Sequence, residues 1–413
     1  MRLFSLLFLC VLLYGANSQI LCSQAYEELN LLRQRAGMIA LKKDPRLVKA
    51  AQAHAAYLVH NNFAPTHYES PKYPLFTGVW PWDRAVYAGY RSRVVSENLS
   101  ALKPNAKKAI DDLMGALYHR ILFLDFSIDS IGIGTAASGH YSYKSLVVFD
   151  MGDSKLEALC TKDWRITGSY NYDLCAQRTK KIPLHAVQEA KNQIAKSNPQ
   201  ILLWPPKNAR AVPPVFYEEE PDPLPQYGVS GYPVSIQFNP YYFKPKDIVL
   251  MDLRLFRGDT AVPAIVMDST SDPNHRLPAM TYALFAKKRL AWNTTYRVEA
   301  KFRIRGKMRS LSWHFSTASL PYPYYTICSE RATVHLRPHR KYVLYFPPKD
   351  AFDTIHSIAA RRPASVRLFT SFIDFNTLIV QANGAVGQEA TVRLSDGKSV
   401  HLILSGYDEA TTP

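Results

Sequence analysis

The spacing of apolar residues changes once along this 413-residue chain, and the change limits the folds open to it. Up to about residue 150, segments with the period of an amphipathic helix mix with short alternating strands, which indicates a layered α/β fold. From Gly231 the period is two, in short segments separated by turn residues, which is typical of a β-sandwich. Between them lies a Pro-dense run, WPPKNARAVPPVFYEEEPDPLPQYG, whose composition indicates an extended linker.

The elements of the α/β part follow a readable order. One helix is expected in SQAYEELNLLRQRAG, with Ser23 as N-cap and Gly37 as its stop, and a second in PRLVKAAQAHAAYLVHNN, with Asp44 as N-cap and Pro45 in the first helical position. A Pro- and Tyr-rich loop, a short helix in PWDRAVYAGY and the strand VVSENLS follow. Asn105 then opens one long helix, NAKKAIDDLMGALYHRILFL, and SIGIGTAA and YSYKSLVVFDM form a final hairpin.

The N-terminus has the features of a secretory signal peptide. Residues 1–18 combine an early Arg2, an apolar run and small residues suited to cleavage before Gln19. The apolar run is shorter than the ~20 residues of a membrane-spanning helix, and no later stretch is long and apolar enough to cross a bilayer. The mature chain is therefore expected to be exported and soluble, in the periplasm, at the cell envelope or outside the cell.

Four cysteines remain after this cleavage, and in an exported chain they indicate disulfides. Three pairings are possible. We favour Cys160 with Cys175, because they lie 15 residues apart around a polar loop, and this leaves Cys22 and Cys328 either paired or free. None of the spacings matches a thiolate zinc site.

The formal net charge is +16, and Lys and Arg are spread along the chain without forming a basic tail. A basic surface favours acidic partners, such as anionic envelope lipids or wall polymers. Because the chain is expected to be exported, nucleic acid is the least favoured partner.

An ordered set of short motifs covers roughly residues 25–150: LNLLRQRAGM, DPRLVKAAQAHAAYL, PTHYE, FTGVWPWDRAVYAGY, SENLS and LYHRILFLDFSIDSIGIG. In order and spacing this set resembles the CAP superfamily (cysteine-rich secretory proteins, antigen 5 and pathogenesis-related 1 proteins) in its bacterial form, the SCP domain. The resemblance implies an α-β-α sandwich with a cleft lined by two histidines and acidic side chains, able to hold a divalent cation. The later frame, from GYPVSIQF to LSWHFST, resembles immunoglobulin-like modules of bacterial envelope proteins.

The resemblance assigns the cleft residues one by one. His67 in THYE and His119 in LYHR match the two histidines, and Glu97 in SEN matches the acid of the family's GEN motif, with Ser96 in place of the glycine. The second cleft glutamate of animal and plant members has no clear counterpart. Glu69 is expected either to line the same cleft or to be a solvated loop acid.

Two neutral imidazoles and a carboxylate suit Zn²⁺, so His67, His119 and Glu97 are candidate ligands for a weakly held divalent cation, zinc or calcium. Alternatively, Glu97 hydrogen-bonds one imidazole and fixes its tautomer. The nearby aromatic residues Tyr68, Tyr73, Trp80 and Trp82 serve either for packing or as a platform for lipid or sugar.

The predicted domains are a signal peptide at 1–18, a CAP domain at 19–155, a cysteine-containing connector and Pro-rich linker at 156–228, an immunoglobulin-like β-sandwich at 229–320 and a small β-rich domain at 321–413. The favoured function is a non-enzymatic binding protein whose ligand is a lipid, a wall glycan or a protein. A metal-dependent hydrolase, with Glu97 as general base, is the second hypothesis; the incomplete acid set and the lack of a His-Glu-x-x-His motif argue against it. The third is a structural or adhesive protein acting through its β-domains.

Overall fold

The computed structural model describes residues 21–102, 105–137 and 145–413, so the predicted signal peptide, residues 1–18, lies outside the described part. Within that part no helix combines the length and hydropathy needed to cross a membrane. The chain forms two compact units. The first contains the described residues up to Trp204 with Ile236–Ile248 and Arg276–Thr281, and the second contains Pro205–Ser235, Val249–His275 and Tyr282–Pro413.

The helices and strands predicted up to residue 152 are all present in the predicted order, and two of the helices differ from the prediction. Ser23 lies inside the first helix, because the helix already includes residue 21. The predicted long helix from Asn105 is broken after Gly115, because Ala116 is extended, with φ −79° and ψ 124°. The helices are α1 (21–35), α2 (Pro45–His60), α3 (Pro81–Tyr87), α4 (Ala106–Gly115), α5 (Leu117–Phe123), α6 (Ser154–Leu159) and α7 (Leu184–Ala195), with a short 3-10 helix at Pro245–Asp247; the strands are β1 (Lys42–Lys43), β2 (Val95–Leu102), β3 (Ser130–Ala137), β4 (Ser145–Gly152), β5 (Tyr170–Asn171), β6 (Ile182–Pro183) and β7 (Ile201–Trp204).

Local sequence explains where the first helices begin and end. The Asp44 carboxylate accepts hydrogen bonds from the backbone N–H groups of Arg46 and Leu47, which caps α2, and Pro45 takes the first turn as predicted. Gly37, with φ +80°, follows α1 in the left-handed region that favours glycine.

A mixed sheet with strand order β1-β3-β4-β2 forms the centre of the first unit, with β1 parallel to β3 and the other pairs antiparallel. On one face, Val148 of β4 packs in a cluster with Ala51 and Ala55 of α2. Its neighbour Phe149 faces the other way, where its ring meets Phe123 of α5 edge-on at 5.2 Å. Helices therefore cover both faces of the sheet, as in an α-β-α sandwich.

α2 lies unusually close to β3, because the strand has glycine where it faces the helix. A Cβ atom on Gly132 would come within 1.9 Å of the backbone carbon of Leu47, and one on Gly134 within 2.2 Å of the backbone nitrogen of Gln52. Both positions therefore require glycine for lack of space, since no side chain fits between the two backbones.

The segment after β4 differs from the predicted connector at 156–228. The predicted disulfide between Cys160 and Cys175 is present, and in the described residues Cys22 and Cys328 are free. Asn198 ties the segment to the preceding fold, since its Oδ1 accepts from the backbone N–H of Ile39 at 3.0 Å and its Nδ2 donates to the carbonyl of Phe126 at 2.9 Å.

A small core explains why this segment folds. Its buried residues include Leu156, Leu159, Ile182 and Val187. The residues from 156 to 204 therefore belong to the first unit.

The remaining strands build the all-β region. The Pro-dense run is part of it rather than a free linker, because its strand β8 pairs in parallel with β15 and the indole N–H of Trp313 donates to the carbonyl of Pro205 at 3.0 Å. The strands are β8 (Ala209–Val212), β9 (Val234–Phe238), β10 (Ile248–Arg257), β11 (Thr260–Val262), β12 (Ala264–Asp268), β13 (Thr281–Ala286), β14 (Thr295–Ile304), β15 (Lys307–Thr317), β16 (Tyr324–Thr326), β17 (Arg331–Leu336), β18 (Lys341–Tyr345), β19 (Ile358–Arg361), β20 (Arg367–Asp374), β21 (Thr377–Asn383), β22 (Glu389–Leu394) and β23 (Ser399–Leu404).

Several sheets follow one another in this region. A five-stranded sheet has the order β11-β10-β14-β15-β8, and β12 pairs antiparallel with β13 in another sheet. Nearer the C-terminus, two four-stranded sheets, β16-β18-β21-β20 and β17-β23-β22-β19, share one core, which includes Tyr342 and Leu378 from the first and Val392 and Val400 from the second. The β22–β23 hairpin turns at Gly397 as predicted, with φ +89°.

Arg289 connects residues that the sequence analysis placed in separate segments of the second unit. Its buried guanidinium bonds both carboxylate oxygens of Asp374, at 2.9 and 2.7 Å, and its Nη1 donates to the hydroxyl of Tyr217 at 3.2 Å. Residues of the predicted linker, the predicted immunoglobulin-like domain and the predicted C-terminal domain thus share a buried polar contact within the second unit.

Candidate functional site

Glu97, the acid of the SEN motif, is held in a buried position on β2. Its Oε1 accepts a hydrogen bond from Nδ1 of His67 at 2.8 Å, and its Oε2 accepts one from Nη2 of Arg84 at 2.7 Å. The side chains of Glu97 and Arg84 are 1% and 0% exposed. The carboxylate therefore has both oxygens occupied inside the protein.

His54 and Glu69 form a second buried pair beside the first. Nδ1 of His54 lies 2.8 Å from Oε1 of Glu69, and its Nε2 lies 2.8 Å from the carbonyl oxygen of Thr66. The other oxygen of Glu69 accepts from the backbone N–H of Thr77 at 2.8 Å. Because both ring nitrogens of His54 face acceptors, the imidazole is fully hydrogen-bonded when both carry a proton.

The two pairs form one charge cluster. Nε2 of His54 lies 3.8 Å from Glu97, and Nε of Arg84 lies 3.8 Å from Glu69. The Arg84 guanidinium, the His54 imidazole and the two carboxylates thus alternate within the buried space. Buried charges are tolerated in such mutually paired and hydrogen-bonded sets.

Asp150 adds a third buried acid. It lies directly opposite Glu97 in the pairing of β2 with β4. Burial and the negative charge of Glu97 raise the pKa of Asp150 well above its usual range. A protonated Asp150 removes the repulsion between the two carboxyl groups.

The pKa of Glu97 is shifted in the opposite direction, to a value below its usual range. Burial by itself raises its pKa, but the charge of His54, the hydrogen bond from His67 and the charge of Arg84 together lower the pKa of Glu97 to about 2. Glu97 therefore stays ionised over the whole physiological pH range.

The predicted cleft residues are brought together in part. His67, Glu69 and Glu97 lie in one cluster, with His67 at its rim, where its side chain is 45% exposed. Glu69 is fully buried, so it is not a solvated loop acid. His119 lies on α5, where its carbonyl accepts a hydrogen bond from Nδ2 of Asn98 at 2.9 Å.

The family resemblance implied a divalent cation held by the histidines and the acid of this cleft. Among the residues that the structure describes, no group of three His, Cys, Asp or Glu side chains is arranged to hold a metal ion, so the candidate ligands His67, His119 and Glu97 do not form such a centre. The physical reason lies at Glu97, whose two oxygens are engaged by His67 and Arg84. A guanidinium at 2.7 Å also repels a cation approaching that carboxylate.

Sequence reasoning missed three members of this cluster. Neither Arg84, in the predicted short helix, nor Asp150, in the predicted final strand, is among the residues that the sequence assigns to the cleft. The sequence signal that could have revealed Asp150 is an acidic residue inside the apolar run SLVVFDMG, because an acid in a buried strand is expected to pair with another polar or charged group. His54 is also a member of the cluster that the sequence does not assign to the cleft, and both of its ring nitrogens are hydrogen-bonded inside the protein.

The layered α/β fold and the His67–Glu97 pair define a class of small α-β-α domains. Residues 26–151 match the family model described as Cysteine-rich secretory protein family, CAP, and this part of the chain is a CAP domain. The match covers the predicted domain at 19–155 apart from its ends.

Solved structures give further likenesses. The chain is 20% identical to an extracellular SCP-domain protein from Bacillus anthracis str. Ames, covering 32% of this chain and 40% of that one, with a TM-score of 0.27. It is also 20% identical to an outer surface protein from Borrelia burgdorferi, covering 30% and 87% of the two chains, with a TM-score of 0.26. The all-β region resembles an immunoglobulin-like fragment of titin, at 11% identity over 50% of this chain and 98% of that one, with a TM-score of 0.17. No curated protein matches the sequence.

Proposed function

We propose that this chain is an exported, non-enzymatic binding protein, whose CAP domain presents a ligand-binding surface at the cell envelope or outside the cell. The observation that carries the proposal is the state of Glu97. A general base works best with a pKa near the operating pH and with a free lone pair directed at its substrate. Glu97 has a pKa of about 2, and both of its oxygens accept internal hydrogen bonds.

The same observation weakens the hydrolase hypothesis. That hypothesis needs Glu97 to activate a metal-bound water held by two histidines. In the cluster, Glu97 instead fixes the ring of His67 and neutralises Arg84. The half-exposed face of His67 is left as a contact for a ligand rather than as part of a catalytic pair.

The predicted signal peptide and the Cys160–Cys175 disulfide support an oxidising, extracytoplasmic location. An exposed cationic hairpin supports an acidic partner there. The stretch AKFRIRGKMRS, at the turn between β14 and β15, has no acidic residue. Its five basic side chains are exposed or nearly so: Lys301, Arg303, Arg305, Lys307 and Arg309. A cluster of this charge favours anionic wall polymers or lipid headgroups.

Co-sedimentation of the purified mature chain with isolated cell walls, and separately with phosphatidylglycerol vesicles, tests this function. We expect the chain to sediment with at least one of them without releasing peptide, ester or glycan products. Release of such a product by the wild-type chain, lost in a folded Glu97→Gln variant, would establish the hydrolase instead.

The charge of the hairpin is tested by a pair of matched variants. Substituting Lys301 and Lys307 by serine should weaken co-sedimentation. The control replaces the exposed Lys287 and Lys288 by serine, which removes the same charge elsewhere in the second unit and should have a smaller effect. Equal losses in the two variants would show that only net charge matters.

A further inference from the structure

A groove of about 460 Å³ opens on the first unit beside α3. This volume lies within the range of small-molecule sites. Val79, Trp80 and Trp82 line its apolar part, and Asp83, Arg93, Asp173 and Arg178 line its polar part.

The two sides of the groove come from different parts of the chain. Residues 79–93 belong to the CAP domain, whereas Asp173 and Arg178 lie beyond residue 151, where the family match ends. The Cys160–Cys175 loop carries Asp173 to the groove. Its backbone is fixed there because the N–H of Arg93 donates to the carbonyl of Leu174 at 2.8 Å. The groove is therefore a feature of this chain rather than of the matched domain alone.

The apolar side presents aromatic ring faces. Trp80 and Trp82 stack with centroids 5.8 Å apart and planes 25° apart, and Tyr68 meets Trp80 edge-on at 5.8 Å. Trp80 is 43% exposed although it is a large apolar residue. The exposed indole of Trp80, supported by the half-buried Trp82, offers a flat apolar surface to a ligand instead of filling a core.

The polar side is an alternating chain of charges. Arg93 bonds Asp83 at 2.8 Å and Asp173 at 3.2 Å, and Arg178 bonds Asp173 at 2.7 Å. The hydrogen bond and charge of Arg178 lower the pKa of Asp173, so this carboxylate stays ionised. The positive charges of the two arginines cancel the negative charges of the two aspartates. Each side chain still has N–H groups or lone pairs that can bond a ligand.

These features together select a ligand chemistry. Fixed planar hydrogen-bonding groups match a ring rich in hydroxyl groups, and the indole faces match the C–H face of the same ring. The cancelled charge gives no preference to an anion, and the polar side disfavours a lipid tail.

We propose that this groove is a saccharide site that takes a short, neutral oligosaccharide. This inference rests on the proposed binding function, and it gives the first unit a neutral ligand in addition to the anionic partner proposed for the cationic hairpin. Trp80 stacks on one sugar ring, and Arg93 and Asp173 bond its hydroxyl groups.

Isothermal titration calorimetry of the mature full-length chain tests the site, with cellotetraose and tetra-N-acetylchitotetraose as probes. We expect at least one tetrasaccharide to bind. Because loss of an aromatic contact of about 1.4 kcal/mol is a tenfold change in affinity, Trp80→Ala should weaken binding about tenfold or more. Arg178→Ala should also weaken it, and Tyr87→Ala, which removes a 66% exposed ring elsewhere on α3, should not.

The site is refuted if neither tetrasaccharide binds, or if Trp80→Ala and Arg178→Ala bind as tightly as the wild type. Both side chains are exposed, so neither variant threatens the fold. The co-sedimentation experiment separates the two proposals. If the chain sediments with walls or vesicles while the calorimetry fails, the binding function stands and the saccharide site falls; if it also fails to sediment, the binding function falls as well.

Discussion

Replacing Arg84 with methionine removes the central cation of the buried cluster. Its guanidinium bonds Glu97 at 2.7 Å, donates to the carbonyl of His67 at 3.0 Å and lies 3.8 Å from Glu69. The substitution keeps much of the apolar volume but leaves two buried carboxylates with reduced compensation. Breaking a buried ion pair in this way costs about 3–5 kcal/mol of unfolding free energy.

Scanning calorimetry of the full mature chain measures this loss. For a unit of this size we expect the corresponding unfolding transition to fall by roughly 10 °C. Arg91→Met, which removes an exposed arginine nearby, serves as the control and should leave the transition in place.

A double-mutant cycle with Glu97→Gln tests the electrostatic cause. Once Glu97 is neutral, the loss of Arg84 leaves one buried charge fewer without a partner. The double variant should therefore be less destabilised than the sum of the two single losses, by about 2 kcal/mol. Additive losses, or an Arg84→Met effect no larger than that of Arg91→Met, would refute the reasoning.

The remaining predictions concern acid stability and packing. The pKa of Glu97 is lowered from 4.5 to about 2, so ionised Glu97 stabilises the folded state fully above pH 4.5, and this stabilisation is lost as the pH falls toward 2. The melting temperature should therefore fall more between pH 5 and pH 3 in the wild type than in Glu97→Gln. Gly132→Ala forces α2 away from β3 and should lower the unfolding free energy measured by chemical denaturation by at least about 3 kcal/mol, or abolish soluble expression. Gly406→Ala is the control and should be neutral, because nothing lies within 4 Å of the added Cβ atom. Asn198→Ala leaves two buried backbone groups unpaired and should cost about 2–3 kcal/mol in the same denaturation assay, a loss that a surface asparagine substitution would not reproduce.

The order of helices and strands in the CAP domain, the Cys160–Cys175 disulfide and the all-β character of the later chain were predictable, because each depends on local patterns of apolar, capping and turn residues. The pairing of His67 with Glu97 followed from a resemblance. The lowered pKa and the internal hydrogen bonds of Glu97 could not be predicted. They depend on Arg84, which comes from a seven-residue helix, and on the strand register that places Asp150 opposite Glu97.

The segment 156–228 shows the same limit for domain organisation. Its polar and Pro-rich composition indicated a connector and a linker. The structure instead gives it a small core and a strand in the following sheet. Composition reports how much apolar surface a segment has, but not whether distant residues cover it. A few residues, such as Val187 in the small core and Asn198 in its hydrogen bond to Phe126, were enough to make residues 156–204 part of the first unit.

The buried cluster has a consequence for the loop between α2 and α3. Residues 61–80 contain no helix or strand, yet they carry both His67 and Trp80. Nε2 of His54 hydrogen-bonds the carbonyl of Thr66, and Nη1 of Arg84 donates to the carbonyl of His67. These two hydrogen bonds from buried side chains hold the backbone of the loop in place. A ligand that meets this loop finds its contacts already in position, and little conformational entropy is lost on association. For the binding function proposed above, selectivity would then depend on the match in shape between the ligand and a fixed loop, rather than on a loop that adapts to each partner.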